Sequence, residues 1–223
     1  MPYAGLRQGI GENMLRSWLE VPKVDHHASV DMTELLAARR AINEGLPEGE
    51  RVSVTDLLVL LVARALEMKR IFNSLMEPDG IKIYRNVHMG IAIALENALV
   101  VPVVRDANKK RLREISAEIR DLAARARENR LTETDFIGGT FTLTNLGGYR
   151  STEHFTPIIN PPQAAILGIG RTRDMPAAVD GEVRIRPMMA LSLSHDHRIV
   201  DGAPAAEFLG ILMRMIEAPY RAL

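Results

Sequence analysis

The chain has 223 residues, of which 47% are hydrophobic, enough for one globular domain with a sizeable core. Lys plus Arg and Asp plus Glu number 28 each, so no net field draws the protein to nucleic acid or to an anionic membrane. There is no cysteine, which excludes disulfides, thiolate nucleophiles, Cys-ligated zinc and iron–sulfur clusters.

The first residues, Met1-Pro2-Tyr3-Ala4-Gly5-Leu6-Arg7, lack the charged-then-apolar order of a secretory signal. Residues 7–19 carry a helical pattern with Ile10, Met14, Leu15 and Trp18 on one side, and Val21-Pro22 ends it. Val24, His26, Ala28 and Val30 alternate with polar residues and predict a strand. Asp31 can cap a helix over 32–43. Ser53-Val54-Thr55-Asp56 is a second capping pattern, opening a helix through Leu66 that is apolar almost all round and so belongs in the core. Its most apolar part, Leu57 to Ala63, falls far short of the roughly 20 residues a bilayer span takes, and we expect a cytoplasmic protein.

Pro78-Asp79-Gly80 signals a turn. Ile81 to Tyr84, Met89 to Leu95 and Leu99 to Val104 predict short strands, the last two joined as a hairpin through Glu96-Asn97-Ala98. From Arg111 to Arg130, Leu112, Ile115, Ile119, Leu122 and Ala126 define the inward face of an amphipathic helix whose charges are interleaved in sign. Strands follow at Thr140–Asn145, Ala164–Gly170, Val183–Ile185 and Met189–Ser194, and then a helix with Pro204 in its first turn. Several strand pairs are joined too closely for crossover helices. The expected fold is therefore α/β, a mixed sheet with helices packed against it. There is no Gly-x-Gly-x-x-Gly opening a helix, no Walker loop and no repeat.

The candidate chemistry lies where the last strand meets the last helix, in Ser194-His195-Asp196-His197-Arg198-Ile199-Val200-Asp201-Gly202. By itself His-x-x-x-Asp-Gly fixes few positions, and Asp201 also suits a helix N-cap. Two further segments change its weight: Gly138-Gly139-Thr140-Phe141-Thr142-Leu143-Thr144-Asn145-Leu146-Gly147 and Pro157-Ile158-Ile159-Asn160-Pro161-Pro162-Gln163-Ala164-Ala165-Ile166-Leu167-Gly168. In this order the three segments resemble the catalytic domain of the dihydrolipoamide acyltransferases, the core component of 2-oxoacid dehydrogenase complexes. Asn86 to Ala92, Leu99 to Val104 and Asp31 to Leu35 are similar to it too, so the resemblance covers essentially all of 1–223 as one acyltransferase domain.

The resemblance implies a two-layer sandwich like that of chloramphenicol acetyltransferase. It also implies a homotrimer with catalysis at the subunit interface, and trimers assembled into a 24-mer or 60-mer. The implied reaction moves an acyl group, acetyl foremost, between dihydrolipoamide and coenzyme A. A thiol with a pKa near 8.5 is only a few per cent thiolate at pH 7, and an imidazole suits the task of deprotonating it. On this basis His197 is the base, and Thr144 of a neighbouring subunit is the donor to the oxyanion. Asp201 forms an ion pair that holds the His-bearing loop. Arg39, Ser53, Asn145 and Gly170 are the implied coenzyme A contacts. No metal site is expected; His26, His27, His88, His154 and His195 are read as structural or surface groups. The implied partners are a lipoyl domain together with the 2-oxoacid dehydrogenase and dihydrolipoamide dehydrogenase components. The chain shows no lipoyl or subunit-binding domain of its own, and Ala94-Leu95-Glu96-Asn97 departs from the acidic, Gly-rich turn of the family. Two rival readings stand beside the enzyme: a scaffold core, and a stand-alone O-acetyltransferase for a small hydroxylated acceptor.

Overall fold

A computed structural model describes residues 3–96 and 98–221. Helix α1 spans Leu6–Glu20 and stops where Val21-Pro22 forces an extended backbone. It meets strand β1 (Lys23–Asp31), then α2 (Thr33–Asn43) and α3 (Val54–Met68). The start of α3 is a full capping box, Ser53 Oγ accepting from Asp56 N at 3.1 Å and Asp56 Oδ2 from Ser53 N at 2.8 Å, a motif that contributes about 1 kcal/mol. As its all-round apolarity requires, α3 is the central helix, with Leu57 to Ala63 buried on every side. Asp31 does not cap α2 in the expected way. Met32 takes the N-cap position, and Asp31 Oδ1 instead accepts from Thr33 N (2.8 Å) and Thr33 Oγ1 (2.6 Å).

Beyond α3, β2 (Ser74–Glu77) and β3 (Gly80–Ile83) form a small hairpin over the expected turn. The two expected strands that follow are each broken in two, giving β4 (Met89–Ile91), β5 (Ile93–Ala94), β6 (Leu99–Val100) and β7 (Val103–Val104). Pro102 has no N–H for the ladder, and Ala92 donates to Leu143 O instead of continuing the hairpin. The hairpin itself stands, β5 pairing with β6 and β4 with β7, while Asn97 of its turn lies outside the described residues.

Helix α4 (Leu112–Arg127) buries Ile115, Leu122 and Ala126 and turns its charges outward. Strand β8 (Phe141–Asn145) follows, then two strands of 15 residues each, β9 (Ala165–Val179) and β10 (Glu182–Asp196), and last α5 (Gly202–Glu217). The six-stranded sheet has the order β1-β10-β9-β8-β4-β7. β8 runs parallel to β4 and β9, and the other pairs are antiparallel, so the sheet is mixed.

Strand alternation gives the sheet two different faces. Leu143, Leu167, Ile169, Leu191 and Leu193 belong to the core shared with α3 and α5, where Phe208 stacks on Phe72 with ring centroids 4.5 Å apart. The opposite face carries Thr142, Thr144, Gly168, Ser192 and His27 and is crossed by residues 150–163, with Ile159 and Ile166 in a small separate cluster. On α1, Leu15 is 59% exposed and Trp18 66%, with Lys23 Nζ 5.8 Å from the Trp18 ring centroid. No helix among the described residues is long and apolar enough to cross a membrane.

Candidate active site

The His-bearing loop is built by its backbone. Asp196 N donates to Ala164 O at 2.8 Å, His197 N to Pro22 O at 3.0 Å, and Ile199 N and Val200 N both to Asp196 O at 3.0 Å. Asp196, 2% exposed, adds a side-chain clamp: Oδ1 accepts from Arg198 N and Nε at 3.0 Å, and Oδ2 from Arg198 Nη2 at 2.6 Å. That carboxylate raises the Arg198 guanidinium above its ordinary value. A buried carboxylate is tolerable only with such a partner, and the pairing fixes the loop on both sides of His197. Sequence reasoning missed this pair, although the Asp-x-Arg spacing was there to see.

The His197 side chain is 44% exposed at the tip of the turn. Asp201 occupies the N-cap position of α5 but makes no capping hydrogen bond. Its carboxylate is 82% exposed, with Oδ1 3.8 Å from His197 Nδ1, too far for a hydrogen bond. The loop is therefore held within the chain by Asp196 and Arg198, and the Asp201 carboxylate faces outward.

Antiparallel register sets Val24 opposite His195 and so brings His26 onto the same face, where ring centroids stand 5.3 Å apart for His26 and His195 and 5.7 Å for His195 and His197. His195 is fully buried, and neither ring nitrogen has a hydrogen-bond partner among the described residues. Burial, reinforced by His26 and His197, holds its pKa below the ordinary 6.5. The folded ring stays neutral where the unfolded one takes up a proton. The stability that follows is whole above pH 6.5 and lost as pH falls towards the lowered value. Thermal unfolding should show the Tm falling below pH 6.5, and His195→Phe should flatten that fall. A residue of slope should remain from His88, which burial lowers in the same way. An unchanged slope in the variant would remove His195 as the source.

Thr144 lies on β8, on the face turned away from the helices, and its hydroxyl has no partner among the described residues. Thr144 pairs with Gly168 and Gly168 with Ser192, so two strand spacings and five residues along the chain, the last just past the end of β10, separate it from His197. At about 4.8 Å per strand and 3.3 Å per residue the two are roughly 19 Å apart. By backbone spacing, one chain holds the two groups well apart.

The expected coenzyme A contacts gather near Thr144. Arg39 Nε donates to Val52 O at 2.9 Å, next to the Ser53 cap, and Asn145 Nδ2 donates to Thr55 Oγ1 at 2.9 Å. Arg39 lines a cavity of about 540 Å³ with Arg40, Asn43, Glu44 and Arg51, beside the N-terminus of α3. Three arginines fit a phosphate-bearing ligand. Two of the expected contacts also serve the fold. The Asn145 amide is bonded at both ends, its Oδ1 accepting from Gly147 N at 2.7 Å, with a second N–H and a second lone pair left over. Gly170 makes room for protein, since a Cβ there would overlap the carbonyl oxygen of Glu153. Among the described residues, no group of three or more His, Cys, Asp or Glu could hold a metal ion.

The family model of the 2-oxoacid dehydrogenases acyltransferase (catalytic domain) matches residues 1–223. The acetyltransferase component of the Rickettsia felis pyruvate dehydrogenase complex is 38% identical over 221 residues. That alignment takes in 98% of this chain and 53% of the relative, so the chain spans about half the length of the curated relatives it matches. Among solved structures, the Azotobacter vinelandii dihydrolipoamide acetyltransferase superposes with a TM-score of 0.92 at 37% identity, covering 97% of this chain and 90% of that one. A structure described as the cubic core of a pyruvate dehydrogenase multienzyme complex aligns equally well, with TM-score 0.92, 37% identity and the same coverage. Chloramphenicol acetyltransferase, at TM-score 0.58 and 15% identity over 92% of this chain and 94% of that one, shares the fold. The mixed sheet, the loop at the end of its long strand and the match over the whole length agree: this chain belongs to the 2-oxoacid dehydrogenase acyltransferases, as a catalytic domain of that family.

Proposed function

We propose that residues 1–223 form an acyltransferase domain that passes an acetyl group between coenzyme A and a dihydrolipoyl thiol, at a site shared by two copies of the chain. The observation that carries this reading is the separation of roughly 19 Å between Thr144 and His197 within one chain. Each group is half of a site, and a second copy supplies the other half. His197 takes the proton from the attacking coenzyme A thiol as its sulfur bonds to the thioester carbonyl. Thr144 of the neighbouring copy donates to the oxyanion that forms. As the intermediate collapses, the carbon–sulfur bond to the lipoyl group breaks and His197 returns the proton to that sulfur. Asp201, turned outward beside His197, is placed to meet a cation across the same interface.

The Azotobacter protein offers a parallel. Its catalytic mechanism has been investigated at a serine, a histidine and an asparagine, the last four positions after the histidine. Asp201 follows His197 by four here. The serine there precedes the histidine by 52 positions, and Thr144 precedes His197 by 53. Ser53 and the Arg39 cavity are our coenzyme A phosphate and pantetheine site, with Asn145 and Gly170 as further proposed contacts. We further propose a trimer as the working unit, able to build a 24-mer or 60-mer. It would be supplied by a lipoyl domain carried elsewhere and would work with the 2-oxoacid dehydrogenase and dihydrolipoamide dehydrogenase components, in the cytoplasm.

The test is acetyl transfer from acetyl-coenzyme A to free dihydrolipoamide. Turnover is the expected result. An oligomer inert towards this acceptor but active on a small hydroxylated one would favour the O-acetyltransferase reading, and one inert towards both would favour a scaffold.

A further inference from the structure

Residues 51–53 join the loop after α2 to the start of α3, and side chains of three helices converge on their backbone. Asn43, the last residue of α2, holds Val52 from both sides: Val52 N donates to Asn43 Oδ1 at 2.7 Å, and Asn43 Nδ2 donates to Val52 O at 2.9 Å. Arg39, one turn earlier, donates from Nε to the same carbonyl at 2.9 Å, so both lone pairs of that oxygen are used. From α4, Arg120 Nη1 donates to Arg51 O at 3.3 Å and to Ser116 Oγ at 2.6 Å. Ser116 Oγ donates in turn to Asp56 Oδ2 at 2.8 Å, the carboxylate oxygen that accepts from Ser53 N. The backbone is extended at Arg51 (φ −63°, ψ 137°) and at Ser53 (φ −86°, ψ 166°). Val52 is 1% exposed, and its two neighbours stand on the outward side, Arg51 exposed and Ser53 half-buried.

We propose that Asn43 is a positioning residue for coenzyme A binding: by clamping Val52 it presets Arg51 and the Arg39 guanidinium for the coenzyme's phosphates. The inference rests on the coenzyme A site proposed above and deepens it by naming what organises it. Arg51 ends a loop that holds Pro47 and two glycines, and without a fixed backbone it would have to be ordered anew at each binding event. Arg39 gains from the same carbonyl. Its Nε is engaged there, which leaves both Nη groups for a bidentate contact in the cavity of about 540 Å³ that Arg39, Asn43 and Arg51 line together. Preorganisation of this kind strengthens binding of ground state and transition state alike, so its effect belongs in KM and not in kcat.

The experiment measures acetyl-coenzyme A kinetics, with free dihydrolipoamide as acceptor, for wild type, Asn43→Ala, Arg51→Ala and the double variant. Calorimetric titration with coenzyme A reads binding without turnover, and circular dichroism and the oligomeric state check the fold. Asn43→Ala should raise KM for acetyl-coenzyme A about tenfold, leave KM for dihydrolipoamide unmoved and keep kcat within about twofold of wild type. Arg51→Ala should raise it by a similar factor, and the double variant by little more than either alone, because the two substitutions disable one device. A merely structural clamp would lower the Tm and leave KM for acetyl-coenzyme A where it was. A folded Asn43→Ala whose KM for acetyl-coenzyme A stays within about twofold of wild type therefore overturns the inference. So does a double variant in which the two factors multiply, since Asn43 would then be an independent contact. If the alanine variant does not fold, Asn43→Gln, which sets the same amide one carbon further out, decides by the same criterion. Wild type that binds no coenzyme A would bring down the site itself, and this inference with it. Wild-type binding with the Asn43 variants unmoved sinks only the role of Asn43.

Discussion

His197→Ala should lower acetyl transfer from acetyl-coenzyme A to dihydrolipoamide by about 1000-fold, within the range that a positioned acid–base group contributes. The loss should come with almost no change in stability, since the ring is 44% exposed and the loop is held by Asp196, Arg198 and backbone hydrogen bonds instead. The residual rate has a diagnostic pH dependence. Without an internal base the reaction depends on thiolate delivered from solution, so the variant's rate should climb about tenfold per pH unit until the thiol pKa near 8.5. Wild type should be much flatter over that interval. Stopped assays from pH 6.5 to 9 would decide the matter, and a variant within about threefold of wild type would remove His197 as the base.

Thr144→Ala should cost about 100- to 1000-fold in turnover, the usual loss for one oxyanion donor, while Thr144→Ser keeps most of the rate. A sharper result comes from combining the two defects. Co-expressed His197→Ala and Thr144→Ala chains should recover about a quarter of wild-type activity, because in a randomly mixed closed ring one interface in four joins an intact histidine to an intact threonine. If each chain held a complete site, mixed oligomers would stay inactive. Mass spectrometry of the intact assemblies would confirm that mixing had occurred before that conclusion was drawn.

The helices were legible because their apolar period is local. Ser53 and Asp56 announced α3, and the unbroken run from Leu57 fixed its burial. The mixed sheet was legible from the short connections. The length of β9 and β10 was not: Arg171 to Val179 lacks alternation, because that part of the hairpin is largely exposed and no buried face imposes one. Nor could the helical pattern of α1 say that Leu15 and Trp18 stay largely exposed, since an apolar stripe does not name the surface that would cover it. His197, Asp201 and Thr144 could be singled out from the family resemblance. Their separation could not, since it depends on β9 lying between β8 and β10 in the sheet.

The placement of Thr144 and His197 at distant points of one sheet also sets how the protein responds to damage. In the shared-site arrangement proposed above, every protomer of a closed assembly would serve two neighbours, as base for one reaction and oxyanion donor for another. A chain that has lost both groups silences two sites rather than one, whereas a chain that has lost one group silences a single site and still serves the other. Inactivation of a population is then proportional to the fraction of faulty chains when each has lost one group, and steeper than proportional when each has lost both. Its steepness depends on whether the injury strikes the loop after β10, the strand β8, or the interface that joins them.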